Sequence, residues 1–307
     1  MSKKTNALAY LSLAAVCLIW GTTYLGLRIG VTQFPPFLFS LLRFLMAGPL
    51  LVGIMLTLGK QKLPPHAHLW HQAITGLFMV TFGISMVGWA EVYISSGLAA
   101  IICSCMPAWT VLINVAVTKD EQPNWLVLFG VVAGITGIMI IFGEHLSEFS
   151  NVNYTAAIVT TFLANLSWAI GSIWMKKKGA TGNPFLNAGL QMMFGAVFLV
   201  PLTLAFDDYT NLAWSPSLLY TLLYMALIGS VAAYACYAHA VRHLPMTLVS
   251  MYAYINPIVA VVLGWLVLNE KLNLRMALAI LVTLAGIYIV NKGYQLSHKR
   301  NAKATAA

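Results

Sequence analysis

Ten apolar stretches, each near the length needed to cross a lipid bilayer, run through this chain at roughly 7–27, 36–58, 69–90, 97–117, 125–142, 154–175, 185–206, 216–240, 246–268 and 275–290. A helix needs about 20 residues to span the hydrocarbon core. In that medium every backbone N–H and C=O has to be satisfied within the protein, so only helices and closed barrels cross it. Barrel strands would alternate apolar and polar residues, and none of these stretches does. Only 8% of the residues are charged, against about 25% in soluble domains, and most of the charges sit between the stretches. The fold class that follows is an all-α integral membrane protein of ten transmembrane helices. The opening Met-Ser-Lys-Lys looks like the start of a signal peptide. The run behind it is too long for a signal core and no small-x-small cleavage site follows, so it reads as a retained first helix.

The ten stretches form two sets of five. Met106-Pro107 matches Asn256-Pro257, Glu121 matches Glu270, and Gly137-Ile138 matches Gly286-Ile287. Nearer the front, Trp20 falls on Trp168, Pro36-Phe37 on Pro184-Phe185 and Arg43 on Gln191, and all these offsets lie between 148 and 150 residues. Five crossings is an odd number, so the second copy enters the membrane from the opposite face and the halves are inverted repeats. Secondary transporters are built this way, with the substrate site between the halves near mid-bilayer. The expected boundaries are 1–143 for the first repeat, 144–153 for a polar linker, 154–293 for the second repeat and 294–307 for a cytoplasmic basic tail. That tail, polar and terminal, is expected to lack regular structure.

With the N-terminus inside, thirteen Lys and Arg residues fall on the cytoplasmic side, against Arg28, Lys271 and Arg275 outside and Arg43 within a stretch. The positive-inside rule then puts both termini in the cytoplasm. The net charge of +9 is thereby a property of the loops, and it calls for no nucleic-acid partner. The four cysteines, Cys17, Cys103, Cys105 and Cys236, lie inside stretches, where no disulfide framework is expected. Cys103 and Cys105 point to different helix faces and make a poor metal site. His239 and His243, like His66, His68 and His71, lack an acid or thiol to complete a ligand set. With no G-x-x-x-x-G-K-[ST] loop either, neither metal nor cofactor is expected.

Arg43 lies about eight residues into the second stretch, about 12 Å along a helix. An arginine at that depth is costly and marks a functional position by default. It either clamps a substrate carboxylate or satisfies carbonyls that a neighbouring proline has freed. Its mate Gln191 is polar but neutral, so one charged substrate group would find one partner. Pro107 and Pro257 each remove a backbone donor at equivalent places in the two halves, and such paired interruptions point to the central cavity of a transporter. Around them stand Trp20, Tyr24, Trp109, Asn165, Trp168, Tyr252, Tyr254 and Asn256, a set suited either to lining a cavity for an amphipathic solute or to anchoring helices at the membrane interface. Glu91 is either an interfacial acid or a titratable proton site whose pKa depends on burial and on Arg43. Glu121 and Glu270 are expected to cap the helices that follow them. Gly26/Gly30 and Gly130/Gly134 are spaced for close helix contacts, with the fifth and tenth stretches packing within the bundle or against a second protomer.

Trp20-Gly21-Thr-Thr-Tyr24, the Pro-Pro-Phe-Leu run leading to Arg43, Ser96-Gly97-Leu-Ala-Ala-Ile, and Tyr-Ala-Tyr-Ile-Asn-Pro257 followed by Asn269-Glu270 resemble the EamA-type permeases of the drug/metabolite transporter superfamily over nearly the whole chain. The resemblance implies two inverted five-helix EamA repeats around a central cavity and efflux of amino acids, metabolites or drugs across a bacterial inner membrane. Ala169, followed by Gly171, stands where the family usually keeps a small residue such as glycine. The expected function is a secondary transporter in the lipid bilayer, as monomer or homodimer, moving a small-molecule solute by alternating access. The rivals are a channel or non-transporting sensor on the same scaffold, and a membrane-embedded enzyme, which would need more clustered ionisable groups than the stretches hold.

Overall fold

The computed structural model describes residues 3–106, 109, 113, 124–142, 148–179, 182–210, 212–244, 249, 252–271 and 273–305. Within them the chain is a bundle of ten helices. The first repeat supplies α1 (Lys3–Gln33), α2 (Pro36–Thr57), α3 (His66–Ala90), α4 (Ser96–Cys103) and α5 (Trp125–Phe142). The second supplies α6 (Val152–Trp174), α7 (Pro184–Phe206), α8 (216–243), α9 (Tyr252–Leu268) and α10 (Leu274–Thr305). Pro107 and Glu121 lie outside the described residues, as does the side chain of Tyr254.

The helix starts are written locally. Pro36, Pro184 and Pro216 stand in the first turns of α2, α7 and α8, where a missing N–H costs nothing because that donor has no partner within the helix. Asn183 accepts from the Phe185 amide at 2.9 Å, Ser215 from Leu218 at 3.0 Å and Ser95 from Leu98 at 3.2 Å, each capping a helix in the usual way. Large apolar side chains such as Leu11, Phe129, Leu163, Leu204 and Leu281 remain exposed on the outside of the bundle, where a soluble protein would present polar ones and a bilayer would receive them.

Two starts are capped from far away. The Asp207 carboxylate, just past α7, accepts from the Phe37 and Leu38 amides at the head of α2 at 3.2 and 2.6 Å, and from Thr203 Oγ1 at 2.6 Å. Its half-burial pushes the carboxyl above the ordinary 3.8, against the downward pull of those hydrogen bonds. The Glu270 carboxylate accepts from the Ser96 amide and hydroxyl, both at 3.0 Å, and from the Gly97 amide at 3.4 Å. This corrects the expected role of Glu270. It caps α4 of the other repeat rather than α10, whose first turn is served by Asn273 Oδ1 accepting from Met276 at 2.8 Å. Both clasps join one repeat to the other at the same end of the bundle.

Inverted-repeat pairing shows in which helices touch. α2 packs on α7, α5 on α10, α1 on α8 and α9, and α6 on α3 and α4. The α5–α10 contact is backbone against backbone. A Cβ at Gly130 would stand 2.6 Å from the Gly286 carbonyl and 2.7 Å from the Val290 amide, and one at Gly137 would stand 2.7 Å from the Thr283 amide. The close-packing glycines are therefore used inside the bundle: a Cβ at Gly286 would run into the Gly134 backbone, while one at Gly134 itself would find open space. α3 and α8 each contain a π-helical segment, Leu77–Ser85 and Leu227–Ala232, starting 150 residues apart. A further difference from expectation is the tail: α10 continues through it to Thr305. Its Ala, Lys, Arg and Gln are good helix formers, and extending an existing helix avoids the cost of nucleation.

Candidate functional site

A cavity opens between the repeats, enclosing about 950 Å³ with its mouth and the open space in front of it included. α1 contributes Trp20 and Tyr24, α2 Arg43, α6 Asn165 and Trp168, and α9 Tyr252, Asn256 and Pro257. Of these, Trp20/Trp168 is a repeat pair, so each half brings an indole to the same space. Sequence reasoning missed Tyr234 of α8, which also lines it. The signal lay in helical periodicity once the π-helical segment is allowed for.

Trp20 is held by three rings, with centroids at 5.7 Å to Tyr234, 5.0 Å to Tyr237 and 5.0 Å to Tyr252, the first and last edge-on. Such pairs contribute about 0.5–1.5 kcal/mol each beyond area burial. The wall is thus set before a solute arrives. Asn256 lies at the turn before Pro257. With its amide oriented to satisfy its neighbours, the NH₂ donates to the Tyr252 and Cys17 carbonyls at 3.0 Å each, tying α9 to α1. Asn165 donates Nδ2 to the Ile102 carbonyl at 3.0 Å, and its buried Oδ1 has no hydrogen-bond partner.

Arg43 is the charged residue of the lining. Only 3% of it is exposed. Its Nε donates to Ser230 Oγ at 2.9 Å, and its guanidinium carbon lies 4.8 Å from the Phe44 ring centre. Ser230 sits on the π-helical segment of α8 and donates its own proton to the Met225 carbonyl five residues back at 2.9 Å. That hydrogen bond fixes the oxygen that receives Arg43. Among the described residues no carboxylate forms an ion pair with the guanidinium.

The lining departs from expectation at two residues. Gln191 does not reach the cavity. Its Nε2 donates to Gln72 Oε1 at 2.7 Å, and Gln72 in turn meets His68 at 3.0 Å, which meets Asn187 Oδ1 at 2.9 Å. These four side chains, all buried, join α3 to α7 just as Arg43 and Ser230 join α2 to α8. The sequence groups His68 with His66 and His71, which conceals the network; the four-residue spacings of His68/Gln72 and Asn187/Gln191 are the available signal. Trp109 is half-buried and likewise absent from the lining.

Glu91 ends α3 outside the cavity wall, fully buried, with neither carboxylate oxygen hydrogen-bonded. The charges nearest in effect are Arg28, whose Nη1 is also buried without a partner, and Glu270. Arg43, the partner considered from sequence, is not among them. Among the described residues no group of three or more His, Cys, Asp or Glu side chains converges on a common point.

The profile of the EamA-like transporter family matches residues 7–143 and again 155–292. The chain is 33% identical over 290 residues to the uncharacterized inner membrane transporter YedA of Escherichia coli K12, covering 93% of this chain and 91% of that protein. It is 26% identical to the uncharacterized transporter YoaV of Bacillus subtilis, covering 91% and 95%. Protein PecM of Dickeya dadantii is also 26% identical, with 93% of each covered. One crystal structure of a protein superposes with a TM-score of 0.65 at 16% identity, over 94% of this chain and 98% of that one, which speaks for the fold alone.

Proposed function

The chain belongs to the EamA-like transporter family, and we propose that this multi-pass inner-membrane transporter exports small amphipathic metabolites, amino acids or related compounds, or drugs, by alternating access around the cavity of Trp20 and Arg43. Transport makes and breaks no covalent bond, so no lining residue is read as catalytic.

One observation carries the reading: a guanidinium at 3% exposure, aimed into an aromatic cavity between inverted repeats, with no carboxylate among the described residues to neutralise it. Burying a cation without a partner costs several kcal/mol, and a solute's anionic group would offset that. Counterflow in proteoliposomes with a panel of labelled amino acids and drugs tests it. The wild type exchanges at least one solute, and Arg43→Gln, folded by its circular dichroism, loses that exchange. Normal exchange by the variant makes Arg43 structural.

Glu91 is the proton site in this scheme, supported by its complete burial and partnerless oxygens. Glu91→Gln is then expected to abolish acceleration by an imposed pH gradient; unchanged rate and pH dependence would remove Glu91 from the mechanism. The excess of Lys and Arg in alternate loops supports cytoplasmic termini, a placement that labelling of terminal tags in intact and opened cells decides. The α5–α10 seam is filled from within, which supports a monomer; the mass of the protein in native nanodiscs checks it.

A further inference from the structure

Resting on the transport reading, we infer that the cavity selects a ring-bearing monoanion with a neutral hydrogen-bond donor, and disfavours both the zwitterion and the cation built on the same ring. Among the described residues the lining holds one positive group and no Asp, Glu, Lys or His. Arg43 spends only its Nε on protein, leaving the terminal nitrogens of the fork for a carboxylate, the geometry a guanidinium matches best.

The second polar group is neutral. Asn165 Oδ1 is buried and has no hydrogen-bond partner, so it accepts from an indole N–H, an amide or a hydroxyl at little cost. An ammonium also has protons to give, but stripping its water costs several kcal/mol. A single hydrogen bond to a neutral amide oxygen returns less than that. Glu91, which would repay the rest, lies outside the cavity wall and feels Arg28 instead. Indole faces at Trp20 and Trp168 supply stacking surface without regard to charge. The order of preference is therefore anion, zwitterion, cation.

Three probes share the indole ring and a two-carbon chain and differ in the ionised groups that chain carries: indole-3-propionate (carboxylate), tryptophan (carboxylate and ammonium) and tryptamine (ammonium). Their affinities are measured calorimetrically at pH 7.5 with the full chain in nanodiscs. Indole-3-propionate is expected to bind at least tenfold more tightly than tryptophan, with tryptamine weakest. Arg43→Lys keeps that order, Arg43→Gln brings the first two within threefold of one another, and Asn165→Asp moves tryptophan ahead. Equal or tighter binding of tryptophan by the wild type overturns the inference, as does failure of all three to bind. Neither result touches the transport reading, which the counterflow panel judges with solutes of other shapes and charges.

Discussion

Removing the Glu270 clasp should loosen one end of the bundle by an amount the geometry sets. In Glu270→Ala the fully buried Ser96 loses the acceptor for its amide, now 3.0 Å away, at a cost of about 1–3 kcal/mol for an orphaned buried donor. The anion at the start of α4 contributes about 0.3–1 kcal/mol more through the helix dipole. Gly97, at 3.4 Å, adds little. Ser95 still caps Leu98, so the helix end survives, and the total is about 1.3–4 kcal/mol. Glu270→Gln keeps an acceptor for Ser96 and loses only the charge, about 0.3–1 kcal/mol. Unfolding in mixed micelles of rising dodecyl sulfate fraction gives the differences directly. The reasoning is refuted if the alanine variant lies within about 0.5 kcal/mol of the parent, or if glutamine is no better than alanine. Gly264 provides a second handle, because a Cβ there would run into Glu270 Oε2; Gly264→Ala should behave like a weaker Glu270→Ala.

The glycines of the α5–α10 contact should split by position in the same assay. Gly286→Ala and Gly130→Ala force a shift of backbone and are expected to cost about 1–3 kcal/mol, while Gly134→Ala, facing open space, should be neutral or gain the roughly 1 kcal/mol of helix propensity. At Asp207, whose folded pKa is raised, stability falls as pH climbs from 3.8 towards the folded value, because the unfolded chain releases its proton first. Asp207→Asn should flatten that slope, and because its amide offers one accepting oxygen where the carboxylate uses two, it should cost about 1 kcal/mol near neutral pH. Asp207→Ala, which strands the Phe37 and Leu38 amides, should cost about 1–2 kcal/mol by the same unfolding measurement. Ser230→Ala frees Arg43 Nε and should weaken solute binding severalfold in calorimetry without changing which solute is preferred.

Much of this architecture is written at the level of twenty-residue windows. Apolar length and the doubled pattern around Trp20/Trp168 and Pro36/Pro184 suffice for ten helices and two inverted halves, because lipid permits so few alternatives. What escaped reading depends on contacts between distant segments. Gln191 occupies the place of Arg43 in its repeat, yet its neighbour α3 offers Gln72, an amide of matching reach, and the side chain turns away from the cavity. Glu270 follows α9 closely enough to suggest a local cap, but its loop is carried to the head of α4, more than 170 residues earlier. The π-helical segments of α3 and α8 have the same composition as the helix around them, and only the settled register of Ser230 against Arg43 gives one of them a consequence.

The seam between α5 and α10 decides where this molecule can bend. With no side chain between the two backbones at Gly130 and Gly286, sliding one helix past the other by a residue would drive Val290 or Thr283 into a peptide group. The pair has a single register, and it takes one helix from each half. In the alternating-access scheme proposed above, rocking of the halves has to respect this register and that of α2 on α7, where a Cβ at Gly48 would stand 2.8 Å from the Met193 amide. α1 meets α8 and α9 through side chains instead, with Trp20 edge-on to Tyr234 and Tyr252.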